Sequence, residues 1–268
     1  MNEFAKAAGD ILGRIRESRP VIHNITNFVV MNTTANVLLA LGAAPIMAHA
    51  IEEMDDISGI SSALVINIGT LSKTWVESMT YAARLARIAG KPLVLDPVGS
   101  GATKLRTDTA CEIARFSAPT AIRGNASEIL SLTAAGGKTR GVDSVNTTEE
   151  AIEAAKSLAG ERGNVLAVTG KNDFVTNGTR SLFISGGSPM MTSVTGTGCS
   201  ASVMVAAFLA VEKDALLATV SALALFKVVA EQASSKSQGP GSFWVNVLDR
   251  LHNITPEEFQ NSARIEQA

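Results

Sequence analysis

Aromatic side chains make up only 4% of the 268 residues, and there are just two cysteines and three histidines. An interior short of rings has to be packed with Ala, Val, Leu and Ile, and a hydrophobic content of 46% supplies enough of them for a large core. Cys111 and Cys199 are too few for a disulfide framework and lack the clustering of a zinc site. Cys111 falls in a helical pattern over 107–116 and reads as a small buried thiol. His23, His49 and His252 have no ligand spacing and read as ordinary surface or core histidines, although His49 lies close to Met47. An excess of positive charge is also missing. The net charge of -2 and pI of about 6.0 leave no basic footprint for nucleic acid, and neither sign dominates any long block. The longest apolar run, 215–230, is broken by Lys227 and falls short of the roughly 20 residues a membrane span needs, so a buried helix and no membrane partner are expected. Residues 1–19 carry Glu3, Lys6, Asp10, Arg14, Arg16 and Glu17 in an amphipathic pattern, not the apolar core of a signal peptide, which points to a cytoplasmic protein.

Internal repeats and low-complexity segments are absent as well. Short β-rich runs alternate instead with helical patterns, the mark of a sheet covered by helices on both faces. Strands are expected at 21–25, 44–47, 63–68, 93–95, 121–123, 165–169, 174–176 and 181–185. Helices are expected at 27–41, 73–89, 126–134, 148–160, 199–211 and 215–234, with a surface loop over 136–145. Runs 63–68 and 165–168 are apolar without alternation, as central strands buried on both faces should be. The length suits one α/β domain spanning 1–268. A site is then expected at the C-terminal ends of the strands.

The most informative segment is Val194-Thr195-Gly196-Thr197-Gly198-Cys199-Ser200-Ala201, which runs into an apolar helical stretch. Two glycines let the backbone turn tightly, and the helix after them offers free N–H groups and the positive end of its dipole, an anion cradle fit for a transferring phosphate. Cys199, in the first turn, would point at the hydroxyl that receives it. The spacing also fits G-x-G-x-x-A, but a dinucleotide fold needs an acidic residue closing the next strand about 20 residues on. Glu212 and Asp214 fall instead in a charged break between two helical stretches. Gly137-Lys138-Thr139 resembles the end of a P-loop, yet the position that requires glycine is Leu132.

Other strand ends deliver Asn67-Ile68-Gly69-Thr70, Asp96-Pro97-Val98-Gly99, Arg123-Gly124-Asn125 followed by Glu128, and Thr169-Gly170-Lys171 to the same edge. Each alone could be a β-to-α turn with a helix cap. Capping does not require an Asp, an Arg and a Glu to converge there.

With Asn24-Ile25-Thr26-Asn27, Asp96-Pro97-Val98-Gly99, Gly124-Asn125-Ala126-Ser127-Glu128, Val168-Thr169-Gly170 and the Gly196–Cys199 segment in that order, the chain resembles the hydroxyethylthiazole kinase family over about residues 19–243. The resemblance implies a ribokinase-like three-layer α/β sandwich with a mostly parallel sheet. It also implies ATP-dependent phosphorylation of 5-(2-hydroxyethyl)-4-methylthiazole in thiamine salvage, by a homotrimer with active sites at subunit interfaces. Combined with the chemistry, it assigns Gly196, Thr197 and Gly198 to the phosphate, Arg123 and Thr169 to ATP, and Asp96 and Glu128 as hard oxygen donors to Mg²⁺, directly or through water. Met47, Asn27, Gly69 and Gly196 are assigned to the thiazole alcohol. Lys171 stands where many relatives carry an acidic residue and is assigned nothing.

Most ribokinase-like enzymes place an Asp where this chain has Cys199. The thiol is therefore either a weak base or a neighbour that shapes the pocket while a phosphate oxygen takes the proton; a helix N-terminus lowers its pKa and a triphosphate raises it. A pyrimidine-alcohol kinase and a nucleotide-dependent dehydratase on the same fold are the enzymatic alternatives, and a nucleotide sensor without turnover is the non-enzymatic one.

Overall fold

The structure is a computed structural model that describes residues 3–133 and 147–268. The loop expected at 136–145 and the P-loop look-alike at Gly137 lie outside them. Helices in chain order are α1 Glu3–Ser18, α2 Met31–Leu41, α3 Met54–Ile60, α4 Lys73–Ile88, α5 Lys104–Phe116 and α6 Ala126–Thr133, followed by α7 Thr147–Arg162, α8 Thr197–Leu209, α9 Ala215–Ser234, α10 Pro240–Asn253 and α11 Pro256–Ser262. Strands are β1 Val21–Ile25, β2 Ala44–Ile46, β3 Ala63–Asn67, β4 Leu93–Asp96, β5 Ala121–Gly124, β6 Val165–Val168, β7 Asp173–Thr176, β8 Ser181–Ile184 and β9 Ile265–Gln267.

The strands form one nine-stranded sheet in the order β2-β1-β3-β4-β5-β6-β7-β8-β9. Pairings from β2 through β6 are parallel, and those of β7, β8 and β9 are antiparallel. Central strands are apolar on both faces because each face carries its own helical layer. Along β3, Ala63 and Val65 join one core cluster while Leu64 and Ile66 join the other, and along β6 Val165 and Ala167 separate from Leu166 and Val168 in the same way. One layer holds α1, α2, α8, α9, α10 and α11; the other holds α3 to α7. This is the three-layer α/β arrangement expected.

Helix starts follow local chemistry. Ser72 caps α4 by accepting from the Trp75 N–H, Thr103 caps α5 by accepting from Arg106, and the Asp214 carboxylate caps α9 by accepting from the N–H groups of Leu216 and Leu217. Helix α9 has 20 residues, long and apolar enough on its own to cross a membrane, contrary to the length estimate made from 215–230. Most of it, 78% of the apolar window, is buried against the protein itself. Helix α8 is buried from Ser200 to Leu209 on every side, so its N-terminus is a fixed part of the framework.

Because strands β2 through β6 run parallel, Met47, Asn67, Asp96, Gly124 and Val168 all fall at or just beyond the same sheet edge. Asn67 and Asp96 are direct partners in the β3–β4 register.

Candidate active site

The two glycines of the cradle are required for different reasons. Gly196, the N-cap of α8, has φ +86, where a side chain is strained, and a Cβ there would meet Val30 Cγ1 at 3.0 Å. Gly198 has an ordinary backbone, but a Cβ would lie 2.7 Å from Arg123 Nη1. The missing side chain is what lets the guanidinium lie against the first turn of α8. The Thr197 hydroxyl donates to Met191 O at 3.0 Å, so what this residue offers an anion is its backbone amide.

Asp96 is completely buried. Its Oδ2 accepts from Asn67 Nδ2 at 2.9 Å and from Ser202 Oγ at 2.8 Å. Its Oδ1 is buried without a hydrogen bond, the nearest cation being Arg123 Nη1 at 3.7 Å. Burial pushes the Asp96 carboxyl up to about 6; Arg123 pulls it down, nearby Glu128 adds to the rise, and the Ser202 and Asn67 hydrogen bonds lower it. An under-partnered buried carboxylate oxygen fits a place for a cation. Glu128 fits that role less directly, since its Oε1 accepts from Gly99 N at 2.9 Å and its Oε2 from Asn125 N at 2.8 Å. Among the described residues there is no group of three or more His, Cys, Asp or Glu able to hold a metal ion. A cation at Asp96 would therefore draw most of its oxygen ligands from phosphate and water.

Asn67, a strand-end residue to which the sequence assigns no role, is the hub of the site. Its Nδ2 donates to Asp96 Oδ2 and, at 3.2 Å, to Cys199 Sγ; its Oδ1 accepts from Asn27 Nδ2 at 2.8 Å and from Gly69 N at 3.0 Å. Asn27 Nδ2 also approaches Cys199 Sγ at 3.7 Å. Gly69 packs so closely that a Cβ would come within 2.7 Å of Asn27 Nδ2. Asn27, Gly69, Cys199 and Asp96 are thus brought together around one amide. Met47 lies just past β2, half-buried at the same edge but beyond β1 from this cluster.

The Cys199 thiol is pushed up to about 12, mainly by burial and then by Asp96, against the opposing hydrogen bonds of Asn67 and Asn27 and the charge of Arg123. At that value Cys199 keeps its proton at neutral pH. Arg123 Nη2 donates to Thr169 Oγ1 at 2.5 Å, and Thr169 Oγ1 donates to Gly124 O at 3.3 Å. Both residues line a cavity of about 840 Å³ together with Gly198, Met191 and Phe226. A second cavity of about 460 Å³ shares Asn125 and Thr169 and is walled by Ile152, Phe174 and Phe183. His23 is buried with its Nε2 2.9 Å from Ala48 O, and His49 is exposed with its ring 4.8 Å from that of Trp75; neither joins the cluster.

Since the folded pKa of Asp96 lies above its ordinary value, its contribution to stability is fully present below about pH 4 and is lost as pH rises through about 6. Asp96→Asn removes this titration. Denaturant unfolding without nucleotide or metal should show the wild type losing up to about 3 kcal/mol relative to Asp96→Asn between about pH 4 and about pH 7. A difference that stays flat with pH would remove the case for a strained, cation-ready carboxylate.

The model of the hydroxyethylthiazole kinase family matches residues 12–257. A hydroxyethylthiazole kinase from Desulfotalea psychrophila is 48% identical over 268 residues, covering 100% of this chain and 98% of that one. One from Pyrococcus furiosus is 49% identical over 261 residues, covering 97% of this chain and 98% of the relative. The solved hydroxyethylthiazole kinase of Pyrococcus horikoshii OT3 superposes with TM-score 0.90 at 42% identity, covering 98% and 99% of the two chains. A ribokinase-like superfamily protein from Enterococcus faecalis V583 shares the fold at TM-score 0.65 and 13% identity, over 92% of this chain and 95% of that one. A family match across nearly the whole chain, on a ribokinase-like fold with a glycine-lined helix N-terminus at its strand ends, means that the chain belongs to the hydroxyethylthiazole kinase family.

Proposed function

We propose that this kinase transfers the γ-phosphoryl group of ATP to the hydroxyl of 5-(2-hydroxyethyl)-4-methylthiazole, giving the phosphate used in thiamine salvage, as one catalytic domain over 1–268 in the cytoplasm. The observation that carries the reading is the N-terminus of α8, with Arg123 against Gly198 on one side and the Asn27–Asn67–Cys199 cluster on the other. A phosphate there would have a nucleotide-binding cation behind it and an alcohol pocket in front. The family match and the names of the relatives favour the thiazole alcohol over a pyrimidine alcohol, and a kinase over a dehydratase or a sensor.

The amides of Gly196, Thr197 and Gly198 stabilise charge on the transferring phosphate, and Arg123 and Thr169 hold the nucleotide's phosphates. Asn27, Met47, Gly69 and Gly196 bound the thiazole, with the Met47 thioether available to its ring. Mg²⁺ would be held by Asp96 through Oδ1, which accepts no hydrogen bond, and by Glu128 through water, and when bound would neutralise triphosphate charge. Cys199 contacts the attacking hydroxyl as a neutral thiol, and the proton passes to a phosphate oxygen. The exposed Phe28 and Val29 follow Asn27 directly, and Phe28 N donates to Thr70 Oγ1 beside Gly69. Apolar side chains open to solvent at the rim of the alcohol pocket support a homotrimer in which a partner copy completes the site.

Incubation with Mg-ATP and a panel of primary alcohols, followed by mass analysis, should give ADP and thiazole phosphate as the dominant product and none in excess chelator. Preferred turnover of a pyrimidine alcohol would replace the substrate assignment. For Cys199, kcat of Cys199→Ser should stay within about tenfold of wild type, because loss of a true general base costs about 10² to 10⁴. A loss of that size in the Ser variant with thiazole still bound would make Cys199 the base. Phe28→Asp should break the trimer in sedimentation and abolish thiazole binding while circular dichroism stays native; full binding by a monomer would end the shared-site idea.

A further inference from the structure

Lys227, the charge that interrupts the apolar run of α9, is only 5% exposed. Its ammonium donates to Gly170 O at 3.1 Å and Lys171 O at 2.9 Å and stands 3.2 Å from Asp173 Oδ1. Three donors meet three acceptors, so no N–H remains for a ligand. Asp173 Oδ1 also accepts from Gly170 N at 2.9 Å. The turn between β6 and β7 is therefore clamped to the middle of a core helix by one buried cation. A buried ion pair is weak evidence for stability, since an apolar pair of similar volume is often as stable or more so. What the clamp does fix is position. The held turn begins one residue after Thr169, whose hydroxyl holds Arg123, and Lys227, Thr169, Arg123 and Gly198 all line the 840 Å³ cavity.

We propose that Lys227 is a positioning residue for the nucleotide: by holding the Gly170 and Lys171 carbonyls and Asp173, it sets Thr169, and through Thr169 the Arg123 guanidinium, against Gly198. This rests on the assignment of Arg123 and Thr169 to ATP. Burial of Lys227 and the use of all its donors make its effect indirect, felt first in nucleotide affinity, since Asn27 and Gly69 are held by Asn67 Oδ1 and not by the clamped turn.

The test measures KM for ATP and for the thiazole alcohol separately, with thermal stability, in Lys227→Met, in Lys227→Met/Asp173→Asn and in Arg123→Gln. The single Lys227 variant strands the Asp173 charge and should lower Tm; the double variant removes both charges and keeps an acceptor for Gly170 N, so it should fold. Both should raise KM for ATP about tenfold and leave KM for the alcohol within about twofold, as expected when a contact group is misplaced by a fraction of an ångström. In Lys227→Ala, added ethylammonium should refill the oxygen cage and bring KM for ATP back toward the wild-type value. An unchanged KM for ATP in the folded double variant, with Arg123→Gln raising it, overturns the role of Lys227 and leaves the nucleotide assignment standing. A rise in both Michaelis constants together also overturns it. An unchanged KM for ATP in Arg123→Gln overturns the nucleotide assignment itself, and with it the route through Thr169.

Discussion

A carboxylate with no exposed surface is the constraint around which the site is built. Removing Asp96 from water disfavours its charge strongly enough that Arg123, Asn67 and Ser202 together do not restore an ordinary acidity. Those three partners come from β5, β3 and α8, so satisfying one side chain fixes two strand ends and a helix relative to each other. Ser202 lies three residues after Cys199 and four after Gly198, which puts all three on one face of α8. The bond that Ser202 makes to Asp96 therefore orients the cradle as well.

Asn67 converts that constraint into a connection between the two halves of the site. All of its hydrogen-bonding groups are used: toward Asp96 on one side, and toward Asn27 and Gly69 on the other, with Cys199 between. A fully satisfied buried amide is rigid, because any rotation leaves a donor or acceptor unpaired at a cost of about 1–3 kcal/mol. The spacing between Asp96 and the Asn27–Gly69 side of the cluster is thus set by β3 and β4 as register partners.

The sequence made the parallel strands legible, because burial on both faces leaves continuous runs of Ala, Val, Leu and Ile, and it marked the cradle because only glycine suits Gly196 and Gly198. Asn67 was legible only as a polar strand end, Lys227 only as a break in an apolar run, and Ser202 not at all. Each sits within an apolar pattern where a polar residue carries no periodic signal, and its partners lie far away in the chain. Helix α2 was expected from 27 and begins at Met31, since the Asn27 side chain accepts from Val29 N and the Phe28 N–H goes to Thr70. Those residues serve the site and are unavailable to a helix. Strand β9 and helices α10 and α11 were also unassigned; β9 offers one buried residue of three, too little pattern to read as a strand.

The scarcity of aromatic residues has an optical consequence. Of the two tryptophans, Trp244 lies half-buried on α10, whereas Trp75 is nearly buried on α4 with Phe28 at 4.6 Å and the His49 ring at 4.8 Å between centroids. Phe28 is next to Asn27 in the chain and bonded to the loop that carries Gly69 and Thr70. The indole emission of Trp75 is thereby coupled to whatever packs against Phe28 and the Gly69–Thr70 loop. The molecule carries its own fluorophore beside the candidate site, with one other indole to subtract.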